Sequence, residues 1–178
     1  MSGTWADRIA VANAATRDAG QWRSVRPLTG GSPVTTDEQG ESLVSFASND
    51  YLGLSQHPAV IEAACTATER DGTGAGAARL IVGDRPVHHE LETALARHHR
   101  TEAAAVFPTG FAANLGVIGA LVAAAGRDDT LIVSDELNHA SIIDGVRLSG
   151  AARAIARHVD VEHVKALLAA RSQRWAIV

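Results

Sequence analysis

The stretch AAVFPTGFAANLGVIGALVAAAGRDDTLIVSDELNHASIIDG, residues 104–145, decides the fold, because its two apolar strand-like runs each end in a small polar cluster. The first run, 103–107, is β-like and breaks at Pro108-Thr109-Gly110. Residues 111–125 then read as a helix, with Leu115, Ile118, Leu121 and Val122 at helical spacing. A glycine loop therefore opens a helix. The second run, Leu131-Ile132-Val133, ends in Ser134-Asp135-Glu136 and leads through Asn138-His139-Ala140-Ser141 into the helical IIDGVRLSG. That places His139 at the carboxyl end of a strand, just before a helix.

Downstream the alternation continues. Strands are expected at 103–107, 130–134, 153–157 and 174–178, with helices at 111–125, 140–148 and 161–171 between them. Each crossover is long enough to return the chain in parallel, and runs such as 131–133 and 176–178 suit strands covered on both faces. The expected fold is thus α/β with a mostly parallel sheet. Ligands in such sheets sit outside the carboxyl ends of the strands, where Thr109-Gly110 and Ser134 to His139 fall.

Upstream, residues 5–20 read as an amphipathic helix with Trp5, Ile9, Ala12 and Ala19 roughly on one face, an arm packed on something and stopped by Gly20. Residues 21–41 form a linker without periodicity, with short strands near 33–35 and 43–46. Ser48 to Leu54 is a turn-rich loop, and a helix starts at His57-Pro58 and ends at Asp71-Gly72. The glycine-rich run 72–79 lacks the preceding strand that a dinucleotide fingerprint needs. It reads instead as a loop approached closely by backbone, ligand or partner. Residues 87–99 form a surface helix. The expected division is an N-terminal arm and linker over 1–50 and the first part of a larger domain over 51–178.

The chain has 178 residues, 46% of them hydrophobic and 4% aromatic, which suits one sizeable alanine-rich core. A formal charge of -4 offers no basic face for nucleic acid. Cys65 is the single cysteine, so no internal disulfide forms, and it reads as a small buried hydrophobe in a helix. No apolar run approaches the ~20 residues that span a bilayer. The N-terminus carries acids and no uninterrupted apolar core of a signal peptide, so a cytoplasmic protein is expected. The last residues, 174–178, stop inside an apolar strand run, as though the chain were cut there.

Thr109-Gly110-Phe111, at a helix start, can offer free N–H groups and a positive dipole end to an anion such as phosphate, or be an ordinary turn. His139 can cap its helix or orient and stack on a bound ring, with Asp135, Glu136, Asn138 and Ser141 around it. Zinc binding by His88, His89, His98, His99 and His139 lacks the required spacing, so no metal is expected. A serine hydrolase is disfavoured because the G-x-S-x-G elbow is missing. Asn49 can fix its own loop through an Asx turn, and Arg23, Arg26 and Arg79 can bind an anion or be solvated.

Five motifs in order carry a resemblance: Ser48-Asn49-Asp50-Tyr51-Leu52-Gly53-Leu54, GTGAGAARLIVGD (72–84), His88 with Leu91-Glu92, Thr109 to Asn114, and DELNHASIIDG (135–145). Together they resemble the α-oxoamine synthase family, pyridoxal-phosphate (PLP) enzymes of the aspartate-aminotransferase fold type I. The likeness runs from about Trp5 to the last residue. It implies the N-terminal portion of that fold and a homodimer in the complete form. The members most similar to it join L-alanine to a pimeloyl thioester, an acyl-CoA, and release carbon dioxide in biotin synthesis. Glycine C-acetyltransferase-like chemistry and a non-catalytic truncated paralogue are the alternatives.

The resemblance assigns Gly110 and Phe111 to the cofactor near its phosphate, and His139 to the pyridine ring and the substrate. It places Asn49 near the amino-acid carboxylate, Arg23 on the substrate from the N-terminal arm, and loop 72–79 at the dimer interface. Val82 and Thr109 depart from the family's commoner residues. The family's Schiff-base lysine, its pyridinium-pairing Asp and a second His lie downstream of the matching motifs. Lys165, the only lysine, matches no family lysine and reads as a solvated helix residue, so the 178-residue chain alone is expected to be inactive.

Overall fold

The computed structural model describes residues 3–31 and 33–178, which fall into two compact units, 1–78 and 79–178. In the first unit, α1 (Trp5–Asp18) starts at a capping box. Thr4 Oγ1 accepts from the Asp7 N–H, and the Asp7 carboxylate accepts from the Thr4 N–H at 2.8 Å. Arg17 lies over the Trp22 ring at 3.9 Å. Strands β1 (Val34–Thr36) and β2 (Ser42–Val44) pair antiparallel, with Val34 opposite Val44. The turn between them is held by Asp37 Oδ1, which accepts from the N–H groups of Gln39 and Glu41. Helix α2 (Pro58–Asp71) has Pro58 in its first turn and His57 as N-cap. None of the described residues of this unit is buried: Trp5 is 80% exposed, so the expected apolar face of α1 is left uncovered.

The second unit holds the core. It opens on a turn of π-helix, Arg79–Gly83, and then α3 (Pro86–His99) and α4 (Gly110–Ala125). A parallel β/α series follows: β3 (Thr130–Asp135), α5 (Ala140–Ser149), β4 (Ala152–Ala156), α6 (Val161–Ala170) and β5 (Trp175–Ile177). The strand order is β4-β3-β5, all parallel. Leu131, Ile132 and Val133 in the central strand are 7%, 3% and 3% exposed, because both faces are covered. On one face Ile132 packs with Val122 and Val146, from α4 and α5. On the other, Leu131 and Val133 pack with Ala156, flanked by Val164, Leu167 and Leu168 of α6. This is the expected α/β arrangement around a parallel sheet.

Three expectations are corrected. Residues 103–107 form no strand, because no neighbouring strand among the described residues pairs with them; a ladder requires a partner. Cys65 is exposed, since α2 buries none of its residues. The run 176–178 is not covered on both faces: Ile177 packs against the cluster of Val122, Ile132 and Val146, whereas Ala176 and Val178, on the alternate positions, are exposed.

Candidate functional site

Helices α4 and α5 lie side by side and parallel, both starting at the carboxyl end of the sheet. The register is fixed by two contacts one helical turn apart. Asn114 Nδ2 donates to Ser141 Oγ at 2.8 Å, and one turn on, Gly145 fits against Asn114 and Ile118. A Cβ at Gly145 would lie 2.9 Å from Ile118 Cδ1 and 3.2 Å from the Asn114 carbonyl oxygen. Glycine is therefore what lets the two helices approach this closely.

At the start of α4, Thr109 is the N-cap: its Oγ1 accepts from the Ala112 N–H at 3.0 Å, and its carbonyl accepts from Ala113. The Gly110 and Phe111 N–H groups have no acceptor among the described residues. A Cβ at Gly110 would meet nothing within 4 Å. Two orphan donors thus face open space at the positive end of a 16-residue helix, the donor set that suits a phosphate.

At the start of α5, His139 is itself the N-cap, as its local alternative had it. Nδ1 accepts from the Ser141 N–H at 3.2 Å and lies 2.7 Å from Ser141 Oγ. Ser141 is fully buried, whereas the imidazole is exposed. Capping and ligand contact are compatible here, because the cap engages Nδ1 and leaves Nε2 and the ring faces outside it.

The acidic neighbours of His139 turn out to be occupied. Asp135 accepts from Leu137 N–H at 2.8 Å, from Val159 N–H at 3.2 Å, and contacts His158 Nδ1 at 3.0 Å. These contacts, the Leu137 N–H first and His158 next, hold its carboxyl below the usual range. Glu136 accepts from the His158 N–H at 2.8 Å, and Asn138 donates to Ser134 Oγ at 3.0 Å. The pair Asp135 and Glu136 therefore clasps the β4–α6 loop.

A second polar cluster holds the segment after the glycine run. Arg79 donates to Glu92 through Nη1 and Nη2 at 2.7 and 3.2 Å and to Asp84 through Nε at 2.7 Å. Glu92 also accepts from the Val106 N–H at 3.0 Å, tying the extended 103–107 segment to α3. Arg79 foremost, then the Val106 N–H, lowers the Glu92 carboxyl to about 2. Asp84 is lowered by His89 foremost and by Arg79, so His88 and His89 serve an ion-pair cluster. Among the described residues no group of three or more His, Cys, Asp or Glu side chains gathers as metal ligands.

Gly110, Phe111 and His139 thus lie in one unit, on paired helix starts, whereas Arg23 and Asn49 lie in the other. Arg23 is exposed on an irregular segment. Asn49 makes no Asx turn: its loop is fixed by Ser48 Oγ, accepting from the Asp50 N–H at 3.1 Å, and by Asp50, accepting from the Ser55 hydroxyl. Lys165 pairs with Glu162 at 2.8 Å on the surface of α6. Sequence reasoning missed the link between Asn114 and Ser141, which no local spacing reveals across 27 positions. The paired G-F-A-A-N and N-H-A-S runs were its only trace.

Residues 41–178 match the family described as aminotransferase class I and II. A putative 8-amino-7-oxononanoate synthase of Acidiphilium cryptum is 47% identical over 96% of this chain and 44% of its own length. The 8-amino-7-oxononanoate synthase of an Anaeromyxobacter strain is 46% identical over 98% of this chain and 42% of its own. The chain thus spans less than half the length of these relatives. Among solved structures, a Sphingomonas wittichii serine palmitoyltransferase superposes with TM-score 0.79 at 30% identity, over 95% of this chain and 42% of that one. A serine palmitoyltransferase from S. paucimobilis with a bound PLP–myriocin aldimine gives TM-score 0.79 at 29% identity, covering 95% and 44%. With the family match covering most of its length and the α-oxoamine synthase motifs in place along it, the chain belongs to the aminotransferase class I and II family.

Proposed function

We propose that this chain is the N-terminal portion of a PLP-dependent C-acyltransferase, an 8-amino-7-oxononanoate synthase that condenses L-alanine with a pimeloyl thioester and releases carbon dioxide in biotin synthesis. The observation that carries it is the pair of parallel helix starts, one with two orphan N–H donors in open space and the other with an exposed, anchored imidazole. The donor set fits PLP, whose phosphate needs N–H donors and whose ring needs a flat partner. When bound, PLP supplies the electron sink for carbanion chemistry at the amino acid.

The chain's residues then divide the work of binding. Gly110 and Phe111 hold the phosphate by backbone N–H groups, with the α4 dipole adding attraction. His139 lies against the ring and orients it, and its Nε2 reaches the substrate. Asn49 meets the amino-acid carboxylate, and Arg23 the substrate, from the 1–50 arm. Residues 51–178 form the first part of the PLP-binding domain, and loop 72–79 lies at a homodimer interface. The Schiff-base lysine is assigned to the remainder of the protein: Lys165 matches no lysine of the family's motifs and pairs with Glu162 on the exposed surface of α6. A cytoplasmic location is part of the same proposal; none of the described helices is long and apolar enough to cross a membrane.

The test is condensation by the product of the complete reading frame, with alanine or glycine offered against pimeloyl or acetyl thioesters. Fastest release of carbon dioxide with alanine and the pimeloyl thioester is expected. Preference for glycine and acetyl thioester would mark a glycine C-acetyltransferase, and no turnover with any pair would mark a non-catalytic paralogue.

A further inference from the structure

His139 is held by more than its cap. Ser141 Oγ stands between two partners: it receives the Asn114 Nδ2–H at 2.8 Å and lies 2.7 Å from His139 Nδ1. The Ser141 N–H also points at Nδ1, at 3.2 Å. An N–H donor aimed at Nδ1 disfavours a proton there, and the Ser141 hydroxyl can add a second donor. Protonated at Nδ1, the ring would set one N–H against another; unprotonated there, it accepts from both the Ser141 N–H and hydroxyl. The proton then sits on Nε2, which has no partner among the described residues. Ser141 is 0% exposed, so the residue at the middle of the relay is shielded from water.

We propose that Asn114 and Ser141 are positioning residues: a hydrogen-bond relay through the buried Ser141, from Asn114 to His139 Nδ1, fixes the imidazole as its Nε2–H tautomer, with one outward donor for an acceptor oxygen of the bound ligand. Gly145 belongs to the same device, because only its missing Cβ lets Asn114 of α4 reach Ser141 of α5. The relay crosses between the two helices whose starts form the candidate site. Rotation of the ring is therefore tied to the spacing of those helices. The purpose assigned to the Nε2 donor rests on the proposed function above; the relay itself does not.

The relay can be tested without cofactor or turnover, by ¹⁵N-histidine labelling of the full chain and reading ring-nitrogen shifts above the titration of imidazole, with His139→Asn to assign the signal. The wild type is expected to show a pyridine-type Nδ1 and a pyrrole-type Nε2. Ser141→Ala should lower the ratio of the Nε2–H to the Nδ1–H tautomer roughly fivefold, the equivalent of one ordinary hydrogen bond. Ser141→Thr, which keeps the hydroxyl, should restore it, and Asn114→Ala should lower it less. Should Ser141→Thr fail to fold, Asn114→Ala and Asn114→Gln carry the same comparison. A wild-type ring protonated at Nδ1, or a tautomer ratio unmoved by both Ser141→Ala and Asn114→Ala, would overturn the proposal. Cofactor affinity, measured separately on the product of the complete reading frame, bears on the proposed function alone.

Discussion

The two units of the chain are built from similar helices yet differ in what those helices cover. In the first, α1 and α2 are well capped and β1 and β2 are well paired, but no described residue is buried. In the second, β3 is covered on both faces and the helices around it share two hydrophobic clusters. Local signals such as a capping box or a leading proline suffice to start a helix, but they supply about 1 kcal/mol each. Stability comes from burial, so the second unit is the scaffold, and the first is held by local caps and strand pairing.

Breaking the centre of the second unit should have the largest effect. Ile132→Ala removes a side chain 3% exposed and is expected to cost about 2–5 kcal/mol in urea denaturation. The matching change in the first unit, Val44→Ala at 63% exposure, should stay within about 0.5 kcal/mol. Equal losses would erase the difference between the units.

The next effect sharpens the comparison at the helix pair. Gly145→Val forces α4 and α5 apart against a backbone carbonyl 3.2 Å away, and should cost about 1–3 kcal/mol by the same measurement. Thr109→Ala removes the cap of α4 and should cost about 1 kcal/mol. Thr4→Ala, the equivalent loss on α1, should lower helicity near residue 5 without moving the main unfolding transition.

The smallest effect is electrostatic. The Glu92 carboxyl is lowered to about 2 in the folded protein by Arg79, from an ordinary value of 4.5. On acidification the unfolded chain takes up this proton first. The stabilisation is therefore complete above about pH 4.5, falls as pH drops toward about 2, and is absent below that. Arg79→Met should flatten this acid limb in a pH series of denaturation midpoints, and an unchanged limb would show that the cluster does not couple to folding.

How much of this was legible in the sequence follows from how local each signal was. The run Leu131 to Val133 announced a doubly covered strand because its own side chains specify burial, and Gly110 at the start of α4 announced an open helix start. The segment 103–107 carries the same β-like composition but forms no strand, since pairing depends on a neighbour that composition does not report. Cys65 looked buried among alanines, yet burial depends on what α2 packs against. Asp135 and Glu136 read only as neighbours of His139 at the sheet edge, and only folding brings His158 to them across more than 20 positions. The site's outline lay in short motifs, but its hydrogen-bond economy lay in long-range contacts.

The central claim is that the starts of α4 and α5 hold the cofactor and that its lysine lies outside these 178 residues. The direct measurement is PLP affinity of the product of the complete reading frame, wild type against His139→Ala, with borohydride reduction and peptide mapping of the labelled lysine. Weaker retention in His139→Ala and a label on a lysine other than Lys165 are predicted. Unchanged affinity, or a label on Lys165, would contradict the account.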